Sequence, residues 1–293
     1  MEAPAFDSDA WMERRSSFEK DALRMRAAYT NLAARVSESA ENVFIPLEVY
    51  PDGSVKTSIS AEHAQLFLDE GLVWGDGVVI RQCDEHAKEA SRIEAAKMVF
   101  DRSSRRGWAE GPAKVTHGEM SFSGSNIYFA TDEEYVMSQE NSALDVRDLK
   151  AEGLAKGESL SVVACRCDMD RKSGVVLFDR NARVDYRPDY TLCTDRVFAF
   201  FTGTNELDRL VADGNVAITN GLRTGYCDKA VFLHGPKEVE MNGWADGRLA
   251  RLNDESKNSL AGRKIRFWIK KEQVEITGSE LTVNKEGRSV RDL

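Results

Sequence analysis

The sequence lacks the features of several large classes of protein. No apolar run approaches the 18 or so residues that a membrane-spanning helix needs. The first ten residues, MEAPAFDSDA, have neither a basic start nor a long apolar run, so we expect no signal peptide there. The 40 Lys and Arg against 49 Asp and Glu leave a net charge of −9, without the basic clusters that bind nucleic-acid phosphates. We therefore expect neither a membrane span nor a nucleic-acid partner for this chain.

Catalytic and metal-binding motifs are missing as well. The sequence has no phosphate-binding glycine loop followed by Lys and Ser or Thr, and no nucleophile elbow around a serine. Its histidines, His63, His86, His117 and His234, form no pair at metal-ligand spacing and are interpreted as surface or strand residues. We predict no catalytic residue, no metal and no cofactor, although groups from distant loops can still converge on a catalytic site.

Cysteines are few. The five cysteines are an odd number without the density of a disulfide scaffold. Cys167 and Cys227 occupy positions that other copies of a repeated pattern fill with Ala, Ile or Val, so they are interpreted as small buried residues.

Residues 9 to 39 carry apolar side chains at three-, four- or seven-residue spacing, with charges between them. The stripe comprises Trp11, Phe18, Ala22, Met25, Tyr29, Leu32 and Val36, and Asp9 is placed to cap its start. This spacing predicts an amphipathic helix within an N-terminal region, residues 1–41. The stripe either packs on the body of the protein, which is the favoured interpretation, docks a partner or coiled coil, or forms a stalk after a removed anchor.

The stretch from Thr191 to Asn220 contains a pattern that recurs along the chain. It places apolar or small residues at Leu192, Thr194, Val197 and Ala199, so the alternation slips by one residue after Thr194. Successive side chains of a strand point to opposite faces, so a straight strand cannot keep all four on one face. The slip predicts a bend or bulge next to a small residue.

Six further copies have the same layout. They are Ile59/Ala61/Ala64/Leu66, Ile93/Ala95/Met98/Phe100, Phe122/Gly124/Ile127/Phe129, Val162/Ala164/Cys167/Met169, Gly225/Cys227/Ala230/Phe232 and Leu260/Gly262/Ile265/Phe267. The second positions of all seven copies stand 29 to 40 residues apart, and glycines recur 16 residues after Ala95, Cys227 and Gly262. A period of this length indicates a stack of one repeated supersecondary unit.

Two β regions are assigned, as separate units or as one continuous stack. Residues 42–148 carry the first three copies, and residues 149–293 carry the other four. The charged, glycine-containing stretch from Asp145 to Ser159 is the predicted boundary loop. The segment Gly75-Asp76-Gly77 is interpreted as a turn between strands.

The apolar positions of the copies form a predicted inward-facing set, which is also the candidate lipid-binding set. It comprises Ile59, Ala61, Ala64, Leu66, Ile93, Met98, Phe100, Phe122, Ile127, Phe129, Val162, Ala164, Val197, Leu260, Ile265 and Phe267. Such a set is either a dry core or the lining of an elongated groove. Recurrent small residues, and a stack of bent strands that need not close, favour the groove. Burial of apolar surface, at roughly 25 cal/mol per Å², can hold acyl chains there without charge pairing.

Parts of the sequence carry a family resemblance. The segments Leu192-Cys-Thr-Asp-Arg-Val197, Leu210-Val-Ala-Asp-Gly-Asn-Val-Ala-Ile218 and Thr224-Gly-Tyr-Cys-Asp-Lys-Ala-Val-Phe232 resemble the repeats of the OstA/LptA family of periplasmic lipopolysaccharide-transport proteins. The segment from Ile45 through Ala61-Glu-His-Ala64 to about Ala143 resembles, more loosely, the LptC family of the same pathway.

The resemblance implies an all-β fold, a repetitive antiparallel β-jellyroll forming an open, V-shaped stack of strands, here with an N-terminal α-helix. It implies a non-enzymatic periplasmic protein, whose signal or anchor is absent from the chain and whose apolar groove shields lipopolysaccharide acyl chains between the inner and outer membranes. The implied partners are lipopolysaccharide or a related lipid, and other jellyroll proteins joined through edge strands.

Two other classes of function stay open. A structural or assembly β-repeat protein would have a filled core and bind protein partners through its edge strands. An enzyme would bring carboxylates or histidines from several loops together in a closed pocket.

Overall fold

The computed structural model describes residues 8–36, 39–149, 158–188, 190–203, 206–221, 223–254, 258–269 and 273–282. Within these ranges the chain forms one α-helix, a short 3-10 helix (Leu68–Glu70) and seventeen β-strands. The helix is α1 (Ser8–Ala33). The strands are β1 (Ala40–Val49), β2 (Val55–Phe67), β3 (Leu72–Cys83), β4 (Glu89–Asp101), β5 (Arg106–His117), β6 (Met120–Ala130), β7 (Tyr135–Val146), β8 (Ser159–Ala164), β9 (Arg166–Asp170), β10 (Val175–Arg187), β11 (Tyr190–Gly203), β12 (Glu206–Asn220), β13 (Arg223–Leu233), β14 (Glu238–Asn242), β15 (Ala250–Asp254), β16 (Ser259–Trp268) and β17 (Val274–Thr282). The predicted all-β class with an N-terminal helix is confirmed.

The described strands belong to one 17-stranded sheet, and every described strand pair is antiparallel. Each strand pairs with the next from β1 to β5 and from β10 to β13. β8 and β9 are two halves of one interrupted strand, because both pair with β10 on either side of Cys165. β14 and β15 are likewise halves of one strand between β13 and β16. The sheet is a succession of long hairpins that starts at β1 and ends at β17, which pairs with β16.

The repeated pattern falls on every second strand of this succession. Its copies lie on β2, β4, β6, β8 with β9, β11, β13 and β16, so one repeat corresponds to one hairpin. The strand register shifts between Cys193 and Arg196 in β11, and between Ala95 and Lys97 in β4. The bulge predicted from the slip in the alternation is therefore confirmed at these copies.

The intervening strands bend with residues in the left-handed backbone region. These residues are Asn42 in β1, Gly77 in β3, Gly111 in β5, Asn141 in β7, Arg180 and Asn181 in β10, Gly214 and Asn215 in β12, and Gly278 in β17. Glycine and asparagine adopt positive φ more readily than other residues. The interpretation of Gly75-Asp76-Gly77 as a turn is wrong, because these residues lie inside β3, where Gly77 has a φ of +60°.

The chain divides into two compact units. Unit 1 comprises Met1–His117 and Ser123–Gln139, and unit 2 comprises Gly118–Phe122 and Glu140–Leu293. β6 and β7 contribute residues to both units, so neither unit is one continuous segment. The assignment of β regions to residues 42–148 and 149–293 stays a prediction, since residues 150–157 of the predicted boundary loop lie outside the described part.

α1 covers the outer face of the unit 1 sheet. Trp74, Val99 and Trp108 are paired across β3, β4 and β5 and share one face. The helix buries Phe18 and Met25 against this face. The apolar stripe therefore packs on the body of the protein, and both faces of these three strands are covered.

The helix is shorter than the sequence predicts. It ends at Ala33 and is followed by a turn in which the amides of Arg35 and Val36 both donate to the carbonyl of Leu32. The strand that follows begins at Ala40, within the predicted N-terminal region. Residues 37–38 and the side chain of Asp9, the predicted cap, lie outside the described part. No helix in the described ranges has both the length and the apolar character that crossing a bilayer requires.

The outer face of unit 2 carries a row of alternating charge. The register places Arg166, Asp179, Arg196, Asp213 and Lys229 side by side on successive strands. The Nε of Arg196 lies 3.2 Å from Oδ1 of Asp179. Opposite charges on neighbouring strands stabilise a sheet by roughly 0.2–1 kcal/mol per pair. This row fixes the outer face, so the apolar residues beside it in sequence face inward.

Candidate functional site

The inner face of unit 1 is built from rows of apolar side chains that cross β2 to β5. Residues paired on antiparallel neighbours share a face. The rows are Ile59–Ile80–Ile93–Val115, Ala64–Gly75–Met98–Ala109 and Leu66–Val73–Phe100–Gly107. Phe129 joins the last row, because its ring stacks on that of Phe100 with the centroids 6.1 Å apart. The register thus brings the predicted residues of β2 and β4 onto one surface.

Three longer rows form the inner face of unit 2. The first row is Val162–Val184–Leu192–Ile218–Gly225–Leu252–Leu260, the second row is Cys167–Phe178–Val197–Ala212–Ala230–Met241–Ile265, and the third row is Met169–Val176–Ala199–Leu210–Phe232–Val239–Phe267. Between the first and second rows lie the small corner residues Ala164, Thr194, Cys227 and Gly262, all buried. A Cβ at Gly262 would meet Ile276 Cγ2 at 2.5 Å, which explains the glycine at this copy.

The predicted inward-facing set is buried with two exceptions. Leu260 is half-buried, and Leu66 is 39% exposed. Because Leu66 is paired with the buried Val73, it lies on the inner face at a place where that face is open to solvent. Phe122 is buried in unit 2, but its row is not described. The role of these residues in lipid binding stays a prediction.

The inner faces are least covered at the first and last strands. None of the ten residues of β1 is buried, and Ile45, which is paired with the inward-facing Ile59, is only half-buried. At the other end of the succession, Val274 and Ile276 of β17 are likewise half-buried. Within the described part of the chain, apolar surface therefore continues to the unpaired edges of β1 and β17.

The two interior cavities that the described residues enclose are small. A cavity in unit 1, lined by Ile59, Val73 and Phe100 among others, measures about 10 Å³. A cavity in unit 2, lined by Ile218, Leu252 and Phe267 among others, measures about 20 Å³. Each has room for about one water molecule, which is far less than an acyl chain needs. An acyl chain could occupy these places only if side chains or sheet halves moved apart.

A recess in unit 2 reaches the inner surface from outside. It measures about 310 Å³ and lies at the β9–β10 and β11–β12 turns. Met169 and Val176, which begin the third row, line it together with Phe201, and Arg171 and Lys172 also line it. The recess has the size of a small ligand site. Its rim consists of polar and charged turn residues, and Met120, Met169, Val176 and Phe201 form its apolar part.

The unit 2 sheet is folded so that the two ends of its strands meet. Tyr186 of β10 is paired with Tyr190 of β11, and the same row of pairs runs across the sheet towards Arg223 of β13. Phe232 lies nine residues further along β13 than Arg223. At about 3.3 Å per residue, a flat sheet would separate the two positions by roughly 30 Å. The rings of Tyr186 and Phe232 are instead 5.1 Å apart. Tyr186 and Phe232 therefore close the inner space of unit 2 from opposite sides.

A buried polar cluster lies at this closure. Lys237 donates to the carboxylate of Glu158 and to the hydroxyl of Tyr186, and the Tyr186 hydroxyl donates to Glu158. The Nδ1 of His234 lies 3.0 Å from the Tyr186 hydroxyl. Since the single proton of Tyr186 goes to Glu158, His234 carries its hydrogen on Nδ1 and donates it to the tyrosine oxygen. All four residues are nearly fully buried, with exposures of 5%, 1%, 0% and 2% for Glu158, Tyr186, His234 and Lys237.

Sequence reasoning missed this cluster. His234 is fully buried just after β13, and neither its spacing nor its neighbours in sequence relate it to Glu158. Burial acts to raise the pKa of Glu158, but the hydrogen bonds from Lys237 and Tyr186 outweigh burial and lower the pKa below its ordinary value. In the described ranges no group of three or more His, Cys, Asp or Glu side chains is arranged to hold a metal ion.

The two cysteines interpreted as small buried residues are fully buried. Cys167 lies in the second row and Cys227 at the corner level, both at 0% exposure. Burial raises the pKa of the Cys227 thiol to about 12. The thiol therefore stays protonated at neutral pH and acts as an apolar filler.

The described elements define an antiparallel β-repeat protein with apolar inner faces. The sequence matches no protein-family model and no curated protein. Among solved structures, the chain is similar to LptH from Pseudomonas aeruginosa, the LptA homologous periplasmic component of the conserved lipopolysaccharide transport device. The identity is 13% and the TM-score 0.35, and the match covers 42% of this chain and 82% of that chain.

Proposed function

We propose that this chain is a non-enzymatic lipid carrier of the lipopolysaccharide export pathway, which holds acyl chains on its apolar inner faces while they cross the periplasm. The observation that carries the proposal is the recess of about 310 Å³, whose lining residues Met169 and Val176 begin the third row. An acyl chain that enters there meets an apolar surface which continues strand by strand to Phe267.

The energetics suit such a ligand. Each methylene removed from water contributes about 0.8 kcal/mol, so several acyl chains bind strongly without any ion pair. Arg171 and Lys172 line the recess together with the single carboxylate of Asp170, so its basic groups outnumber its acidic one and favour an anionic headgroup that remains in water. The resemblance of residues 192–232 to OstA/LptA repeats supports lipopolysaccharide, or a related lipid, as that ligand.

Site-specific photo-crosslinking in cells tests this proposal. A photoreactive residue at Phe100, Phe129, Val197 or Phe267, all at most 5% exposed, should trap lipopolysaccharide. Val163 and Tyr226, which are 44% and 45% exposed, provide outward-facing controls. Crosslinks from the outward positions alone would remove the basis for an internal lipid site. Native mass spectrometry of the protein from its own host should also show a co-purifying lipid.

A second candidate function is supported by the small cavities. With only about 10 and 20 Å³ free in the two described interior cavities, the chain also fits a structural or assembly protein with a filled core. Such a protein would bind protein partners by adding strands to β1 or β17. Proline substitutions in β1 should abolish partner capture under this hypothesis and leave lipid crosslinking at Phe267 intact under the first.

A further inference from the structure

The polar cluster of unit 2 joins parts of the chain that belong to opposite sides of its inner space. Tyr186 ends β10 beside the first row, and Glu158 precedes β8 on the same side. His234 and Lys237 lie in the turn after β13, next to Phe232 of the third row. The hydrogen bonds of Lys237 to Glu158 and Tyr186 therefore run across the closure, from one end of the folded strands to the other.

A buried ion pair is an unusual way to close an apolar interior. Two charges taken out of water lose hydration that their mutual attraction recovers only in part, so an apolar pair of similar size would hold the closure at least as well. When an ion pair separates, however, both groups regain their hydration, whereas separated apolar groups expose surface to water. An ionic closure is therefore easier to open than an apolar closure.

We propose that the Glu158–Lys237 pair, oriented by Tyr186 and His234, is a clasp that holds the interior of unit 2 closed and opens to admit an acyl chain. This inference rests on the proposed lipid-carrier function, because it assigns to the same inner surface a gate that regulates entry. The recess at Met169 and Val176 gives access to one end of the third row, and the clasp lies four strands away at Phe232. Opening the clasp separates the sheet halves that otherwise leave a cavity of about 20 Å³.

Aromatic rings surround the clasp. Tyr186 stacks on Tyr190, with centroids 5.1 Å apart, and both rings meet Phe232 edge to face. Lys237 Nζ lies 4.4 Å from the centroid of the Tyr186 ring. An acyl chain that replaces Phe232 against these two tyrosines keeps their apolar faces covered while the ion pair is apart.

Stopped-flow uptake of an uncharged probe, a pyrene-labelled monoacylglycerol, tests the clasp in the full-length protein. Glu158→Gln removes the ion pair and should accelerate opening-limited uptake about tenfold, which corresponds to 1.4 kcal/mol. The double variant Glu158→Leu with Lys237→Met replaces the ionic closure by an apolar closure, and should slow uptake by about the same factor. Asp246→Asn, which removes an exposed carboxylate 2.8 Å from Arg248, is the matched control and should leave the rate unchanged.

Two further measurements keep the outcome clear. Glu158→Asp retains the charge with a shorter reach, so it should give an intermediate rate even if Glu158→Gln does not fold. Amide hydrogen exchange without lipid should be faster at Tyr186 and Phe232 in the single variants, with no change in the middle of β10 and β13. Wild-type exchange and wild-type uptake rates in all Glu158 variants would refute the clasp and leave the carrier proposal standing. Faster exchange at Tyr186 and Phe232 in the single variants, with no probe uptake by any variant, would refute the carrier proposal instead.

Discussion

The ring of Phe129 fills the space that a side chain at residue 107 would need. A Cβ placed on Gly107 would overlap Cζ of Phe129. Gly107 is paired with Phe100, whose ring stacks on that of Phe129. The absence of a side chain on β5 thus lets two aromatic rings occupy one row of the inner face of unit 1.

We therefore expect Gly107→Ala to lower the free energy of unfolding by about 1–3 kcal/mol, the usual cost of overpacking. Urea unfolding measures this loss. Introducing Phe129→Leu as well should recover part of it, because leucine leaves room for the new methyl group. An equal cost of Gly107→Ala in the wild-type protein and in the Phe129→Leu variant would mean that the two residues are not in contact.

Substitutions of Gly111 test whether the bends require a residue with positive φ. Its φ is +73°, and a Cβ there would meet no atom within 4 Å. Gly111→Ala should cost about 1–2 kcal/mol through backbone strain alone. Gly111→Asn should cost less, since asparagine tolerates this conformation. Melting temperatures of the two variants distinguish the cases, and equal losses would contradict a left-handed residue at this bend.

The packing of α1 on unit 1 predicts that substitutions on its buried side lower stability more than substitutions on its exposed side. Met25 is 2% exposed beneath the helix, whereas Leu23 is 62% exposed. Met25→Ala should cost about 2–5 kcal/mol of stability through lost burial and a new cavity. Leu23→Ala should stay within about 0.5 kcal/mol of the wild type. Chemical denaturation of both variants checks this, and similar small effects would favour a helix that docks a partner.

Phe267 lies in the third row, where it is paired with Val239 and Val274, and is 5% exposed. Phe267→Asp buries an unpaired charge, so it should reduce either folding or lipid uptake severely. Tyr226→Asp, at a site 45% exposed, is the surface control and should change neither property. Thermal melting measures the effect on folding, and a lipid-binding assay measures the effect on uptake. A Phe267→Asp protein with wild-type values for both would place this residue in solvent.

Glu158 should make stability depend on pH in a defined direction. Its pKa is lowered in the folded protein, so its contribution is complete above the unfolded-state value and disappears as pH falls through the folded-state value. The difference in unfolding free energy between wild type and Glu158→Gln should be constant near neutral pH and shrink below about pH 4.3. Lys237, Tyr186 and His234, the groups that face Glu158, are present in both proteins. A difference that grows on acidification would show the opposite sign of pKa shift.

Local patterns were enough to predict the repeated bends. The slip between Thr194 and Val197 requires a bulge from the geometry of one strand, and the register shift there agrees. The same local signals could not separate a turn from a bulge at Gly75-Asp76-Gly77, because both use glycine at positive φ. Only the pairing of β3 along its whole length distinguishes them.

Less of the candidate site than of the fold could be predicted from the sequence. The alternation identified Ile59, Phe100 and Phe267 as inward residues, and all three are buried. The exposure of Leu66 depends on how much the neighbouring strands cover, which no local pattern records. Glu158 and Lys237 are 79 residues apart and meet only because the unit 2 sheet folds over.

The correspondence of one repeat with one hairpin has a consequence for how such chains vary in length. Each hairpin is bonded mainly to the hairpins before and after it, as in other linear repeat proteins. Duplicating or deleting a whole hairpin would change the extent of the inner surface by about 10 Å, two strand spacings, without disturbing the side-chain rows. The reach of the molecule could therefore be adjusted in evolution by copy number alone.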